Sequence, residues 1–280
     1  MCSKYARIVR LIAMQAFDGK RNDLFYLPCK QETQKAVIYF GGDIQVQVQD
    51  YEENMVKSKA NKNYIMWSLE NTACTLHEKF IDHSIFIVRP STINNETFSC
   101  YHNFVEGNKK GVPAHKYNLN CIRHLKSLME ASFQYLKEQN IIKKPYSSFI
   151  LMGFSKGCVV LNQLLYSLDC LLQNKDESLL QFMNQISAIY WMDGGHSGSY
   201  NTWITDQSLI KNLTQFDIKV HIYVTPYQIR DEQRSWIGEE ENTFFELLKQ
   251  FNVPVKRHVL FDDRKPSLHL HFQLLNEFEP

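Results

Sequence analysis

The sequence has 280 residues, 44% hydrophobic and 22% charged, with 31 basic against 30 acidic side chains. That length supports a sizeable core, and the near-neutral balance gives no electrostatic reason for a nucleic-acid or anionic-membrane partner. No apolar run approaches the roughly 18 residues of a membrane-spanning helix, and dispersed basic residues such as Lys57, Lys59 and Lys62 read as a solvated face.

Residues 1–16 hold Lys4, Arg7 and Arg10 among apolar neighbours, with no acid before Asp18. That arrangement fits the tail of a mitochondrial presequence, but a cleavable presequence is usually longer and richer in serine, so a first edge strand over 7–13 is preferred. Two further strands are expected at 24–27 and 36–40, bounded by turn signals at Asp18-Gly19 and Gly41-Gly42. A helix over 68–80 follows, with Ser68 as N-cap and Glu70 behind it. The β-branched run 84–88 stops before Pro90, as a buried strand does.

Residues 91–117 are polar and aperiodic, too long for a simple connector, and read as a cap or active-site loop. Phe98, Tyr101, His102 and Phe104 are expected to cover the pocket, so replacing the segment should alter substrate preference more than stability. Leu119, Ile122, Leu125, Met129, Phe133 and Leu136 then mark one face of a long helix. Strands at 148–152, 186–192, 219–224 and 255–261 alternate with helices at 156–172, near 206–216, at 238–251 and at 268–278. The pattern predicts one α/β domain over 1–280, with a mostly parallel central sheet flanked by helices and a loop-rich cap.

The 7 cysteines (Cys2, Cys29, Cys74, Cys100, Cys121, Cys158 and Cys170) are odd in number and form no Cys-x-x-Cys pair, which favours a reducing compartment. The 10 histidines lack His-Glu-x-x-His spacing, so no metal is expected, and nothing calls for a cofactor.

The strongest local signal is Gly153-Phe154-Ser155-Lys156-Gly157, set between an apolar strand and an apolar helix. A nucleophile elbow of the α/β-hydrolase fold requires that order, since its serine sits on a sharp strand-to-helix turn. The glycines leave room where strand and helix approach, and the N–H of Lys156 would form half of an oxyanion hole. The competing reading is a plain turn with Ser155 as an N-cap. A second donor is expected in the turn Gly41-Gly42-Asp43, from the N–H of Gly42 or Asp43. The Asp43 carboxylate would oppose an oxyanion there unless it is turned away or hydrogen-bonded elsewhere.

In hydrolases of this architecture the acid and then the histidine follow the serine in the chain. His269 and His271, beyond the last strand, can each be the base. Asp231, in the segment after strand 219–224, is the acid expected to fix its tautomer, although pairing with Arg230 or Arg234 would also explain it. Asp193 is a competing acid, in Asp193-Gly194-Gly195-His196 at the end of the strand next to the elbow strand. His196 reads first as part of a structural turn, and Cys158, beside Val159 and Val160, as buried packing.

The stretch from Gly153 through Asn162-Gln163-Leu164-Leu165 resembles the signature of a eukaryotic family of α/β-hydrolase-like proteins associated with mitochondria and named after an open reading frame on chromosome two. Further matching motifs are Gly42-Asp43, Trp67-Ser68-Leu69-Glu70-Asn71, Phe98-Ser99-Cys100-Tyr101, Asp193-Gly194-Gly195-His196-Ser197-Gly198, Arg234-Ser235-Trp236-Ile237-Gly238 and His271-Phe272, spanning nearly the whole chain. The resemblance implies a serine-hydrolase-like fold, a mitochondrial setting, with the cytoplasm as the alternative compartment, and His271 over His269 as the base. It brings no particular substrate. Two functions follow as expectations. One is a serine esterase or thioesterase acting on a small-molecule or lipid ester through Ser155, His271 and Asp231. The other is a non-catalytic binding or scaffold protein, with which a protein partner is compatible.

Overall fold

The computed structural model describes residues 8–47, 61–198 and 200–280. Residues 1–7, part of the 1–16 stretch weighed as a presequence tail, the lysines Lys57 and Lys59, and the side chain of Lys62 lie outside the described residues. The strands are β1 (Val9–Gln15), β2 (Arg21–Leu27), β3 (Lys35–Phe40), β4 (Ser84–Val88), β5 (Thr92–Asn94), β6 (Phe98–Cys100), β7 (Ser148–Phe154), β8 (Ile186–Met192), β9 (Lys219–Val224) and β10 (Val255–Val259). The helices are α1 (Leu69–Lys79), α2 (Asn120–Glu138), α3 (Cys158–Asn174), α4 (Glu177–Met183), α5 (Gln207–Lys211), α6 (Pro226–Ile229), α7 (Trp236–Gln250) and α8 (Leu268–Glu277).

Eight strands form one sheet in the order β1-β2-β4-β3-β7-β8-β9-β10, and β5 and β6 form a separate hairpin. Only β2 runs against its neighbours; from β4 to β10 every pairing is parallel. Parallel strands are buried on both faces, which is why β3 reads as a continuous apolar run. Ala36, Ile38 and Phe40 join a core with Ile122 of α2, Leu161 of α3 and Phe244 of α7. Val37 and Tyr39 point the other way, into a core with Leu69 and Ala73 of α1 and Phe272 and Leu275 of α8. The period-two alternation of a strand thus assigns each side chain to one of two layers. Burying each large aliphatic or aromatic group stabilises by roughly 1.5–3 kcal/mol.

Strands β4, β8 and β9 have the bounds their sequence predicts. Strand β7 runs two residues past the expected Met152, and a 3-10 turn at Ser155–Gly157 precedes α3. The last strand ends at Val259, short of the expected 261, and Phe261 takes a left-handed φ of 60° in the turn that follows. The stretch near 206–216 divides into α5 and a 3-10 turn. Ser68 caps α1 as expected, accepting the Asn71 N–H at 3.2 Å.

The cap expectation needs correction on one point. Residues 91–117 do lie over the turn after β3, but Tyr101, Phe104 and Val105 belong to the main core. Tyr101 and Phe104 meet the Phe40 ring edge-on at 5.7 and 5.2 Å. The Tyr101 hydroxyl donates to Gly41 O at 2.9 Å. Removing a segment that fills the core costs stability directly, so this is no detachable lid.

Candidate active site

In an open parallel sheet, ligand-binding loops gather at the carboxyl ends of the strands. Here the turns after β3, β7, β8 and β9 emerge at that end, with α8 beside them. The turn after β7 is dictated by sterics. A Cβ on Gly157 would stand 2.0 Å from Phe40 O, and one on Gly153 would stand 2.9 Å from Cys158 Cα. Ser155, half-buried, bridges them with a left-handed φ of 51°. Its hydroxyl makes no hydrogen bond within the described residues. The Cys158 thiol donates to Gly153 O at 3.1 Å, and burial pushes its pKa up, so it packs rather than reacts.

The turn after β8 holds Asp193, with φ 46° and 0% exposure. Its Oδ1 accepts the Thr225 N–H at 2.7 Å, and its Oδ2 accepts the Thr225 hydroxyl at 2.6 Å. Oδ2 also meets His271 Nδ1 at 2.8 Å. A carboxylate only accepts, so Nδ1 carries the imidazole proton and Nε2 is left as the basic nitrogen. His271 is 3% exposed on the first turn of α8. The rings of Phe154 and Tyr227 pack against it at 4.5 and 4.9 Å. Phe154 is the residue before Ser155, so the imidazole is seated against the serine's own turn.

Asp231, the acid the sequence favours, is not at this place. Its Oδ1 accepts the Gln233 N–H at 2.9 Å and its Oδ2 the Arg234 Nε–H at 2.6 Å. Partial burial pushes its carboxyl up, and the Arg234 guanidinium and nearby N–H groups outweigh that and hold it below its usual range. The physical reason is Thr225. It occupies the end of β9, from which an acid would reach the histidine, and spends both its donors on Asp193. Pro226 then starts α6 and carries the chain away. The signal for Asp193 was present in the sequence: an aspartate ending a buried strand, followed by two glycines.

His269 is exposed and meets Trp67 edge-on at 5.6 Å, away from the carboxylate. His196 is buried, with Nε2 3.4 Å from Asn201 O, and burial first, then the Lys156 charge, push its pKa down to about 4. It is a neutral structural group of the turn.

The turn after β3 closes against Ser155, since a Cβ on Gly42 would stand 2.8 Å from Ser155 Cβ. The Gly42 N–H is spent on Gln45 Oε1 at 2.9 Å, so Gly42 leaves the set of expected donors. Gln45 was invisible in the sequence. It is fully buried and also accepts the Tyr39 hydroxyl at 2.8 Å and donates to Trp67 O at 3.0 Å, fixing the turn from below. The backbone N–H groups of Asp43 and Lys156 make no hydrogen bond within the described residues. The Asp43 carboxylate is turned aside: Oδ1 accepts the Ser99 N–H at 2.8 Å, and Oδ2 lies 3.6 Å from Lys156 Nζ. Burial raises the Asp43 pKa and the Lys156 charge opposes that rise. Among the described residues no cluster of three or more His, Cys, Asp or Glu could share a metal ion, and no helix is long and apolar enough to cross a membrane.

Comparison with known proteins places the fold and the family. The chain covers 96% of itself and 74% of the structure of esterase Est22 at a TM-score of 0.51 and 13% identity. Against the enterobactin esterase FES of Shigella flexneri the TM-score is 0.50 at 8% identity, covering 97% of this chain and 58% of that one. The fold is that of α/β hydrolases. The family model C2orf69 matches residues 10–146 and 130–254. The mitochondrial protein C2orf69 of Homo sapiens is 34% identical over 96% of this chain and 82% of its own length. The homologue named so in Danio rerio is 35% identical over 98% and 86%. These names agree with the mitochondrial setting implied by the sequence motifs, and the chain belongs to the C2orf69 family.

Proposed function

We propose that the chain is a mitochondrial serine hydrolase acting on ester or thioester bonds of a small-molecule or lipid substrate. Ser155 is the nucleophile, His271 the base and Asp193 the orienting acid, with the N–H groups of Lys156 and Asp43 as oxyanion donors. Ser155 Oγ attacks the acyl carbon as His271 Nε2 takes its proton, and the carbonyl oxygen gathers charge between the two donors. The imidazolium, steadied by Asp193, then protonates the leaving alcohol or thiol. Water, deprotonated by His271, attacks the acyl-enzyme and frees the acid and the serine.

The observation that carries this reading is the buried Asp193–His271 bond at 2.8 Å, seated against the serine's turn. A fully buried carboxylate costs several kcal/mol unless paired, and here it is aimed at the one histidine that packs on Phe154. The solved esterases of the same fold support the chemistry only as architecture. A scaffold reading has one observation in its favour: Ser155 Oγ and His271 do not hydrogen-bond in this structure. Such contacts are often long without substrate and tighten when it binds.

A fluorophosphonate probe decides between them. The folded wild type should be labelled at Ser155 and Ser155→Ala should not. A folded wild type that stays unlabelled hands the site to the scaffold reading.

A further inference from the structure

Lys156, the residue after Ser155, has a side chain that is 0% exposed. A buried ammonium is tolerated only where it is paired and hydrogen-bonded. Its donors reach three separate segments: Lys110 O of the cap at 2.8 Å, Ser197 Oγ of the turn after β8 at 3.3 Å, and Asp43 Oδ2 of the turn after β3 at 3.6 Å. Ser99 of the β5–β6 hairpin grips the same turn, donating its N–H to Asp43 Oδ1 and its hydroxyl to Gly42 O, each at 2.8 Å. Asp43 is therefore a residue with two opposed tendencies. Its N–H is free to meet an oxyanion, while its carboxylate is a negative charge on the same residue that would repel one.

Resting on the hydrolase reading above, we infer that Lys156 is a positioning residue for the oxyanion site. Its ammonium neutralises the Asp43 carboxylate and holds it aside, so that the N–H groups of Asp43 and Lys156 face the reacting oxygen with no net opposing charge. One residue thus serves twice, its backbone as donor and its side chain as counter-ion to the other donor's carboxylate.

The groups facing Asp43 are Lys156, His271, Cys100 and Tyr101, and those facing Lys156 are Asp43, Cys100 and His196. Burial raises Cys100 and Tyr101 and lowers His196, so these three stay neutral near pH 7. His271 is present in wild type and variant alike, so taking the ratio of their rates removes most of its own contribution. Without Lys156, Asp43 keeps its burial and loses the offsetting charge, so its carboxyl moves further up.

The test is the rate of fluorophosphonate labelling at Ser155 in the full chain, with melting temperature measured in parallel. Lys156→Met should label at least about tenfold more slowly than wild type near pH 8, the scale of losing one oxyanion contribution. The ratio of variant to wild-type rate should climb as pH falls, as Asp43 takes up its proton. Asp43→Asn/Lys156→Met should recover most of the lost rate, and Asp43→Asn alone should label about threefold faster than wild type, because the Lys156 ammonium is then left uncompensated beside the developing oxyanion. A merely structural lysine would lower the melting temperature but would give no pH-dependent ratio and no rescue by the second substitution.

Wild-type labelling with a double variant as slow as Lys156→Met overturns the inference and leaves the hydrolase reading standing. No labelling of folded wild type overturns both. If Lys156→Met does not fold, the double variant, which buries no unpaired charge, decides alone. Labelling within about fivefold of wild type supports the inference, and a loss of about a hundredfold overturns it.

Discussion

The turn after β3 sets Asp43 against a lysine, whereas the turn after β8 sets Asp193 against a histidine. Asp193 has no exposed surface, and its oxygens are held by two Thr225 donors and His271 Nδ1. The side chain of Asp43 is 26% exposed, and it is held by one backbone N–H and a buried ammonium. Oriented dipoles fix a carboxylate in one direction and leave its charge in place. An ammonium cancels the charge and needs only proximity, which the 3.6 Å separation provides. The first arrangement suits a group whose field must act on its neighbour, the second a group whose field must not.

The sharpest way to break this contrast is Asp193→Asn. The amide can no longer accept from both Thr225 and His271 as the carboxylate does, and it favours the wrong imidazole tautomer. Labelling of Ser155 should fall about 10³–10⁴-fold, the scale set by such replacements in serine hydrolases. A melting curve run alongside separates lost chemistry from lost fold. A rate near wild type in a folded variant would remove Asp193 from the reaction.

Acid acts on the two turns with opposite sign. His196, on the turn after β8, has its pKa lowered from 6.5 to about 4 by burial, so the unfolded chain binds this proton more tightly than the folded one. The stability it contributes is complete above about pH 6.5 and disappears as pH falls toward about 4, in total roughly 3 kcal/mol. Asp43 is raised by burial, so the folded chain holds its proton the more tightly and acidification favours the fold. Melting temperature against pH should therefore drop through the histidine window, and His196→Gln should flatten the drop. An unchanged slope in that variant would show that the buried imidazole is not what acid attacks.

What the sequence made legible was whatever sterics or strand ends enforce. The turn at Ser155 can be read from Gly153 and Gly157, because no other residue fits against Cys158 and Phe40. The parallel strands can be read from their apolar runs. His271 was separated from His269 by the His271-Phe272 motif, and the fold confirms that the two rings point to different surroundings. Asp193 could be read as a candidate acid but not preferred over Asp231, because both satisfy the order serine, acid, histidine. What separates them is Thr225, whose two donors acquire meaning only when β8 and β9 lie side by side. Gln45 and Ser99 escaped for the same reason: a polar side chain that satisfies a distant backbone leaves no local pattern.

The smallest expected effect belongs to Asp231, and it sharpens the assignment from the other side. Its ion pair with Arg234 is local, at i and i+3, with both side chains still in contact with solvent. Pairs of that kind contribute about 0–1 kcal/mol. Asp231→Asn keeps an oxygen to accept the Gln233 N–H at the start of the 3-10 turn, so even the capping role survives in part. Chemical denaturation should show a loss inside that range, and Ser155 labelling should stay within about twofold of wild type, as expected of a surface position outside the site. If Asp231→Asn instead slowed labelling by orders of magnitude while Asp193→Asn did not, the histidine would have to exchange one carboxylate for the other. The α6 segment would then have to swing Asp231 across to it, breaking the Arg234 pair and leaving the two Thr225 donors with an acceptor that takes no part in the reaction.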